Sequence, residues 1–148
     1  MRLALFEPDI PGNAGALIRL GACLGVAVDV IEPCGFVFSA AALRRAGMDY
    51  LAQADWVRHA SWAAYLAQAK GRIVLATTRA ATAYTDFAFR PDDNILLGRE
   101  SAGVPDAVHD RADARLRIAL KSGLRSINVA QAGAMILGEA LRQTRQFP

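Results

Sequence analysis

Three short segments of this chain combine small residues with side chains that can hold a ligand or assist a reaction: residues 13–19, 97–105 and 126–129. Each follows an apolar run typical of a buried β-strand. Small residues let a ligand approach the backbone closely, and loops at the carboxyl ends of parallel strands line the crevice where open α/β sheets bind ligands. The sequence therefore predicts one site that gathers an arginine, a glutamate and a Ser/Asn pair from distant parts of the chain.

Common nucleotide-binding and hydrolase motifs do not fit these segments. The first turn has Gly12 and Gly15 but lacks the G-x-G-x-x-G pattern, and no G-x-x-x-x-G-K-[ST] sequence is present. Residues 98–103 look like a nucleophile elbow, yet Arg99 occupies the position where the elbow needs glycine. A serine hydrolase is therefore an unfavoured alternative, and the loops suit an uncharged or cationic ligand.

Composition indicates one globular domain. The chain has 148 residues, of which 53% are hydrophobic, and a net charge of +3, which permits nucleic-acid binding without requiring it. Neither of its two cysteines belongs to a C-x-x-C pair or lies at metal-ligand spacing from a histidine. We therefore expect reduced thiols, no metal site and a cytoplasmic protein. We expect no signal peptide and no membrane span, because no apolar run approaches the ~18 residues that a span requires.

Strands alternate with helices along the chain, which predicts a single α/β domain with about six mostly parallel strands. Asn13 and Ser61 are predicted helix N-caps, and Gly25 is predicted to end the first helix. The predicted strands span residues 2–6, 26–31, 55–58, 72–77, 94–97 and 115–120; the predicted helices span residues 13–24, 39–47, 62–70 and 128–145.

Each candidate side chain also has a purely structural interpretation. Glu100 suits a loop hydrogen-bond acceptor as well as a site residue. Arg19 lies between apolar neighbours and suits a side chain that extends to solvent. Ser126 and Asn128 precede the last helix, where either suits an N-cap. The small residues of that helix fit either a dimer contact or packing on its own sheet.

Three further segments are distinctive: residues 5–11 read Leu-Phe-Glu-Pro-Asp-Ile-Pro, residues 31–36 read Ile-Glu-Pro-Cys-Gly-Phe, and residues 43–50 read Leu-Arg-Arg-Ala-Gly-Met-Asp-Tyr. With the first three segments, they make the chain resemble the SPOUT (α/β-knot) RNA methyltransferases almost from end to end. Within that superfamily the chain is similar to the small TrmL/YibK-like tRNA 2′-O-methyltransferases.

The resemblance implies a C-terminal trefoil knot, a homodimer, and S-adenosylmethionine as cofactor without any metal. It implies methyl transfer to the ribose 2′-hydroxyl of the wobble nucleotide, cytidine or modified uridine, of leucine tRNAs. Carried over by position, the cofactor-binding residues are Ala76, Thr77, Leu97, Gly98, Ile118, Leu120, Ser126 and Asn128.

The resemblance also gives Arg19 and Glu100 as catalytic residues. A free guanidinium stays protonated, with a pKa above ~12. We therefore expect Arg19 to orient the ribose or phosphate and to stabilise the developing oxyanion, rather than to remove a proton. The predicted RNA-binding residues, whose alternative is a solvated surface, are Asn13, Arg44, Arg45, Arg79, Lys121 and Arg125.

Several positions depart from the resemblance. Relatives often carry Pro and Thr at positions 12 and 14, Gly-Pro-Glu at 98–100, Pro at 119 and Ser-Asn at 130–131. The chain has instead Gly12, Ala14, Arg99, Ala119, Ala130 and Gln131. These departures leave two alternatives open: a knotted module that binds RNA or cofactor without turnover, and a 2′-O-methyltransferase acting on another RNA.

Overall fold

A computed structural model of the 148-residue chain describes residues 1–37, 39 and 53–148. Its centre is a sheet of six strands in the order β3-β2-β1-β5-β4-β6, and every adjacent pair is parallel. The predicted fold class, α/β with about six mostly parallel strands, is confirmed. The strands are β1 (Arg2–Phe6), β2 (Ala27–Ile31), β3 (Trp56–His59), β4 (Ile73–Ala76), β5 (Asn94–Leu97) and β6 (Ala114–Leu116).

Helices cover both faces of the sheet, as a buried parallel sheet requires. Helices α1 and α4 pack on one face, while α2 and α3 contribute to the core on the other. Helix α1 ends at Gly25, whose φ of 66° lies in the left-handed region that favours glycine, as predicted. The helices are α1 (Pro11–Leu24), α2 (Trp62–Leu66), α3 (Asp106–Arg111) and α4 (Val129–Thr144), with a 3₁₀ turn at Tyr84–Asp86.

Alternation along the strands divides the core into two layers. In β1, Leu3 and Leu5 face α1 and α4, whereas Ala4 and Phe6 face the layer that contains Tyr65 of α2. The buried apolar runs of the strands therefore supply both faces, which explains why their sequences are continuously hydrophobic.

Helix α4 lies directly against α1 and β5 through Gly133. A Cβ atom at this position would lie 2.6 Å from Cδ2 of Leu17 and 2.9 Å from Cδ1 of Leu97, closer than real side chains approach. The absence of a side chain at residue 133 thus sets how closely α4 sits on the sheet and on α1.

The chain leaves the neighbouring strands β1 and β5 in opposite directions. After β1 it continues through α1 to β2 on one side, and after β5 it continues through α3 to β6 on the other. Such a switch point opens a crevice at the carboxyl ends of the strands. The loops after β1 and β5 meet at this place.

Some predicted boundaries are wrong. Asn13 is not a helix N-cap but lies inside α1, because Pro11 already begins the helix and Ile10 is its N-cap. The predicted helix at residues 62–70 ends at Leu66, although its Ser61 cap is confirmed. The predicted strand at residues 115–120 ends at Leu116, because its partner β4 ends opposite at Ala76.

Other predictions fall elsewhere. Helix α3 was not predicted at all. Apart from Ser39, the predicted helix at residues 39–47 lies outside the described residues. The trefoil knot stays a prediction.

Candidate functional site

A cavity of about 510 Å³ lies at the carboxyl ends of β4, β5 and β6, beside the first turn of α4. Its walls are largely aliphatic side chains and backbone, with a few polar groups, which is the usual composition of a small-molecule site. All eight residues predicted to bind the cofactor line this cavity: Ala76, Thr77, Leu97, Gly98, Ile118, Leu120, Ser126 and Asn128.

A tight loop after β5 forms one wall. The Arg99 N–H donates to the Gly103 carbonyl and the Gly103 N–H donates to the Arg99 carbonyl, both at 2.9 Å. A Cβ at Gly98 would lie 2.8 Å from the Gly103 carbonyl carbon, and Gly103 has a φ of 68°. Glycine at both positions therefore permits the loop to fold back on itself beside the cavity.

A chain of hydrogen bonds joins this loop to α1 and α4. The Asn13 amide Nδ2 donates to Glu100 Oε1 at 3.0 Å, and Asn128 Nδ2 donates to Asn13 Oδ1 at 2.9 Å. Asn128 caps α4, because its Oδ1 accepts the N–H groups of Ala130 and Gln131. Both expectations for Asn128 therefore hold in geometry: it is an N-cap and it lines the cavity.

Glu100 accepts a second hydrogen bond, from the Asp9 N–H to Oε2 at 2.8 Å. Both carboxylate oxygens are thus bonded to neutral donors that belong to the loop after β1 and to α1. Glu100 holds these elements together at the mouth of the cavity, where it is itself a lining residue.

An ion-pair network, here the Arg99 network, connects the same two loops. Arg99 Nη1 lies 3.0 Å from Glu7 Oε2 and Nη2 lies 3.3 Å from Asp9 Oδ1. Ser101 donates its backbone N–H and its hydroxyl to Asp9 Oδ2. The hydrogen bonds from Ser101, with the charge of Arg99, lower the pKa of Asp9 below its ordinary value, so this carboxylate is ionised at neutral pH.

The other predicted site residues lie away from the cavity walls. Arg19 is half-buried on α1 and is not a lining residue. Arg79 pairs with Asp106 at 2.8 Å across the surface. Lys121 and Arg125 are exposed on the loop between β6 and α4. Arg44 and Arg45 lie outside the described residues.

Sequence reasoning missed several contributors to the site. Asp9 and Ser101 are absent from the predicted site residues: Ser101 fits only the unfavoured hydrolase motif, and Arg99 is only a departure from the resemblance. Ile10, Arg117 and Ala132 also line the cavity. The charged pattern Glu-Pro-Asp at residues 7–9 was the available signal, because carboxylates beside a buried strand need a partner.

The structure does not assemble a serine hydrolase site among the described residues. The Ser101 hydroxyl donates to Asp9, whereas His59 is bonded to Asp29 and His109 lies beside Arg115.

Burial raises the pKa of Cys34 to about 11, so its thiol is protonated at neutral pH.

Residues 1–37, 39 and 53–148 hold neither a candidate metal site nor a candidate membrane span. No three His, Cys, Asp or Glu side chains there cluster in a way that would hold a metal ion. No helix there has the length and apolar character to cross a membrane.

Comparisons with known proteins agree with this geometry. Residues 1–138 match the model of the SpoU rRNA Methylase family. A protein of Ancylobacter novellus named tRNA (cytidine(34)-2′-O)-methyltransferase is 60% identical over 150 residues, which cover 99% of this chain and 95% of that protein.

Two solved structures are also similar. One, described as "Structural insights into the 2-OH methylation of C/U34 on tRNA", superposes with a TM-score of 0.90 at 37% identity and covers 96% of this chain and 94% of that one. The SpoU methyltransferase AviRb from Streptomyces viridochromogenes in complex with AdoMet superposes with a TM-score of 0.82 at 26% identity, over 97% of this chain and 60% of that one. The family predicted from the sequence motifs is confirmed, and this chain belongs to the SpoU methylase family.

Proposed function

We propose that this chain transfers a methyl group from S-adenosylmethionine to the ribose 2′-hydroxyl of nucleotide 34 in tRNA. The observation that carries the proposal is the cavity at the carboxyl ends of β4, β5 and β6, which collects all eight predicted cofactor residues. Relatives at up to 60% identity are named for this reaction on cytidine 34, and a structural neighbour is described by methylation of C/U34.

The residues of the cavity fit the cofactor. A volume of about 510 Å³ lies within the range of small-molecule sites. Leu97, Ile118 and Leu120 offer apolar walls for an adenine ring, and the backbone at Gly98 allows close approach. S-adenosylmethionine, when bound, supplies a methyl group that its positively charged sulfur already activates.

The protein must then position the hydroxyl and assist removal of its proton. Glu100 uses both oxygens in bonds within the chain, so we assign it to ordering the loop that faces the ribose. Arg19 lies outside the cavity walls, so its proposed partner is the RNA, where it orients the ribose or phosphate and stabilises the developing oxyanion.

Three further proposals rest on the sequence resemblance: that the substrates are leucine tRNAs, that the protein is cytoplasmic, and that it forms a homodimer. Support for the dimer comes from α4, where Met135 is 42% exposed and a Cβ at Gly138 would meet no atom within 4 Å. Light scattering on the purified chain tests it; a monomer at micromolar concentration contradicts it.

RNA contact is proposed for the residues that the sequence resemblance implies, five of which are basic. Phosphate contacts release counterions, so RNA affinity should fall steeply between low and moderate salt. A flat salt response would argue against a phosphate-anchored substrate. The residues are Asn13, Arg44, Arg45, Arg79, Lys121 and Arg125; Asn13 among them already bonds Glu100 and Asn128.

The deciding experiment incubates the protein with labelled S-adenosylmethionine and total tRNA and then maps the methylated nucleotide. We expect incorporation at the 2′-oxygen of nucleotide 34, and its loss in Arg19→Ala, a variant in which calorimetry should still detect cofactor binding. Cofactor binding without incorporation into any RNA would instead identify a binding module without turnover. Incorporation at another position would identify a different RNA substrate.

A further inference from the structure

Arg99 lies between two carboxylates at the mouth of the cavity. Its guanidinium is 3.0 Å from Glu7 and 3.3 Å from Asp9, and the three side chains are 34%, 19% and 20% exposed. Arg99 itself lines the cavity. The charges of this network are therefore close enough to the cavity, and sufficiently exposed, to act on a molecule that approaches its mouth.

Glu7 is fixed in place by the backbone. Its φ of 44° lies in the left-handed region, which a non-glycine residue seldom adopts. Its N–H donates to the Ile31 carbonyl at 2.9 Å, which extends the pairing of β1 with β2. The backbone of Glu7 is therefore held by the sheet independently of Arg99, so replacing Arg99 leaves the Glu7 main chain in place beside the loop that lines the cavity.

The other hydrogen-bond donors to the carboxylates around Arg99 are uncharged groups. Asp9 Oδ2 accepts from the Ser101 hydroxyl and N–H, and Glu100 accepts from the Asn13 amide and the Asp9 N–H. Without Arg99, three negative side chains would stand together beside the cavity. Under the proposed function, an RNA substrate brings phosphates near the mouth of the cavity, because the reacting ribose is flanked by them.

We propose that Arg99 offsets part of the negative charge of Glu7 and Asp9 and so lets a polyanionic RNA reach the cavity. This inference rests on the proposed function, because it assumes an RNA substrate. Loss of the guanidinium should weaken the binding of RNA and should not weaken the binding of a positively charged methyl donor.

A mechanical role is the competing explanation. Arg99 also bridges the loops after β1 and β5, and a loosened bridge would disturb the cofactor cavity whatever the charge of the ligand. The two explanations differ in one respect. Removing a carboxylate as well as the arginine restores the charge balance but cannot restore the bridge.

The test compares Arg99→Gln, Glu7→Gln and the double variant. Fluorescence anisotropy measures the Kd of unmodified tRNA at low salt, and calorimetry measures the Kd of S-adenosylmethionine. We expect Arg99→Gln to weaken tRNA binding about fivefold, the size of one close unit-charge interaction in water. The double variant should recover most of that loss, and the cofactor Kd should change by less than about twofold in every variant, as for charges at an interface rim.

Arg111→Gln is the matched control. It removes the same charge from an exposed pair with Asp113 on α3, outside the cavity lining, and should leave both Kd values within about twofold of the wild type. At high salt the effect of Arg99→Gln on tRNA should vanish, because exposed charges are then screened.

Two results would overturn the inference. One is an unchanged tRNA Kd in Arg99→Gln; the other is a loss of tRNA affinity in Arg99→Gln that the double variant fails to recover, with or without weaker cofactor binding. Wild-type protein that binds tRNA without methylating it would overturn the proposed function alone, since the binding comparison for Arg99 still applies. Wild-type protein that binds no tRNA would overturn both.

Discussion

Two charged networks in this molecule are built in different ways. One, here the Asp29 cluster, lies within the sheet: Asp29 is 3% exposed, and its carboxylate bonds His59 Nε2 at 2.8 Å and Arg2 Nε at 2.6 Å. The Arg99 network instead joins two loops and is partly exposed. A buried carboxylate is costly unless every partner is present, whereas loop charges at a cavity edge can exchange partners with a ligand.

Because of this difference, we expect substitutions in the two networks to affect different properties, folding stability in one and ligand affinity in the other. The Asp29 cluster involves β1, β2 and β3, and its residues Arg2, Asp29 and His59 are not among those that line the cavity. We therefore expect substitutions in that cluster to lower the free energy of unfolding. Substitutions at the cavity mouth should change ligand affinity with less effect on folding.

The largest expected effect comes from Asp29→Ala. It leaves the buried His59 and the guanidinium of Arg2 without their acceptor, which should lower the free energy of unfolding by about 3 kcal/mol. Glu32→Ala, which breaks the more exposed pair with Arg58, should cost less than about 1 kcal/mol. Denaturant titration measures both; equal losses would contradict the expectation that a buried carboxylate depends on its partners more than an exposed one does.

A smaller effect, on ligand affinity, is expected from Gly98→Ala. The added Cβ would meet the Gly103 backbone at 2.8 Å, so the loop must move beside the cavity. S-adenosylmethionine affinity measured by calorimetry should fall about tenfold, equivalent to about 1.4 kcal/mol. Gly12→Ala is the control, since its Cβ would meet nothing within 4 Å; similar losses in both variants would show that the close approach is unimportant.

Asn128 allows its two roles to be separated. Asn128→Ala removes the cap of α4 and should lower the free energy of unfolding by about 1 kcal/mol. Asn128→Asp keeps the acceptor for the Ala130 and Gln131 N–H groups but loses the amide that donates to Asn13. Asn128→Asp should therefore regain the melting temperature that Asn128→Ala loses. We expect both variants to bind the cofactor more weakly than the wild type, because both lose the hydrogen bond to Asn13. If cofactor affinity recovers too, the bond to Asn13 does not order the cavity.

The smallest expected effect is a pH dependence at Asp9. The pKa of Asp9 is lowered from 3.8 by its hydrogen bonds with Ser101 and by Arg99. When the pKa of a carboxyl is lower in the folded than in the unfolded protein, the ionised group stabilises the fold at any pH above its unfolded pKa. That stabilisation disappears as the pH falls through the folded-state pKa. The difference in unfolding free energy between wild type and Asp9→Asn should thus be constant from pH 5 to 7 and shrink below about pH 3.8. A difference that persists to pH 2 would contradict this assignment.

Much of the fold was predictable because local signals agreed. The apolar runs at residues 2–6 and 94–97 could be buried only as central strands, and Gly25 marked a helix end by its backbone freedom. Boundaries failed where a neighbour decided them. β6 ends at Leu116 because β4 offers no further partner, and α1 begins at Pro11 rather than after Asn13.

The cavity was predictable because its residues sit at strand ends, which the order of elements brings together. Its hydrogen-bond partners were not. Glu100 bonds Asn13 across 87 positions and Arg99 bonds Glu7 across 92. Such contacts depend on how two loops lie against each other, and no periodicity in the sequence encodes that arrangement.

The bare backbone at Gly133 has a consequence for how this protein can change. With the methyl groups of Leu17 and Leu97 seated against it, any side chain added at residue 133 must first push these two leucine side chains aside. Because Ala132 and Ile136 of the same helix line the cavity, repacking on that face would also reshape the chamber that we propose holds the methyl donor.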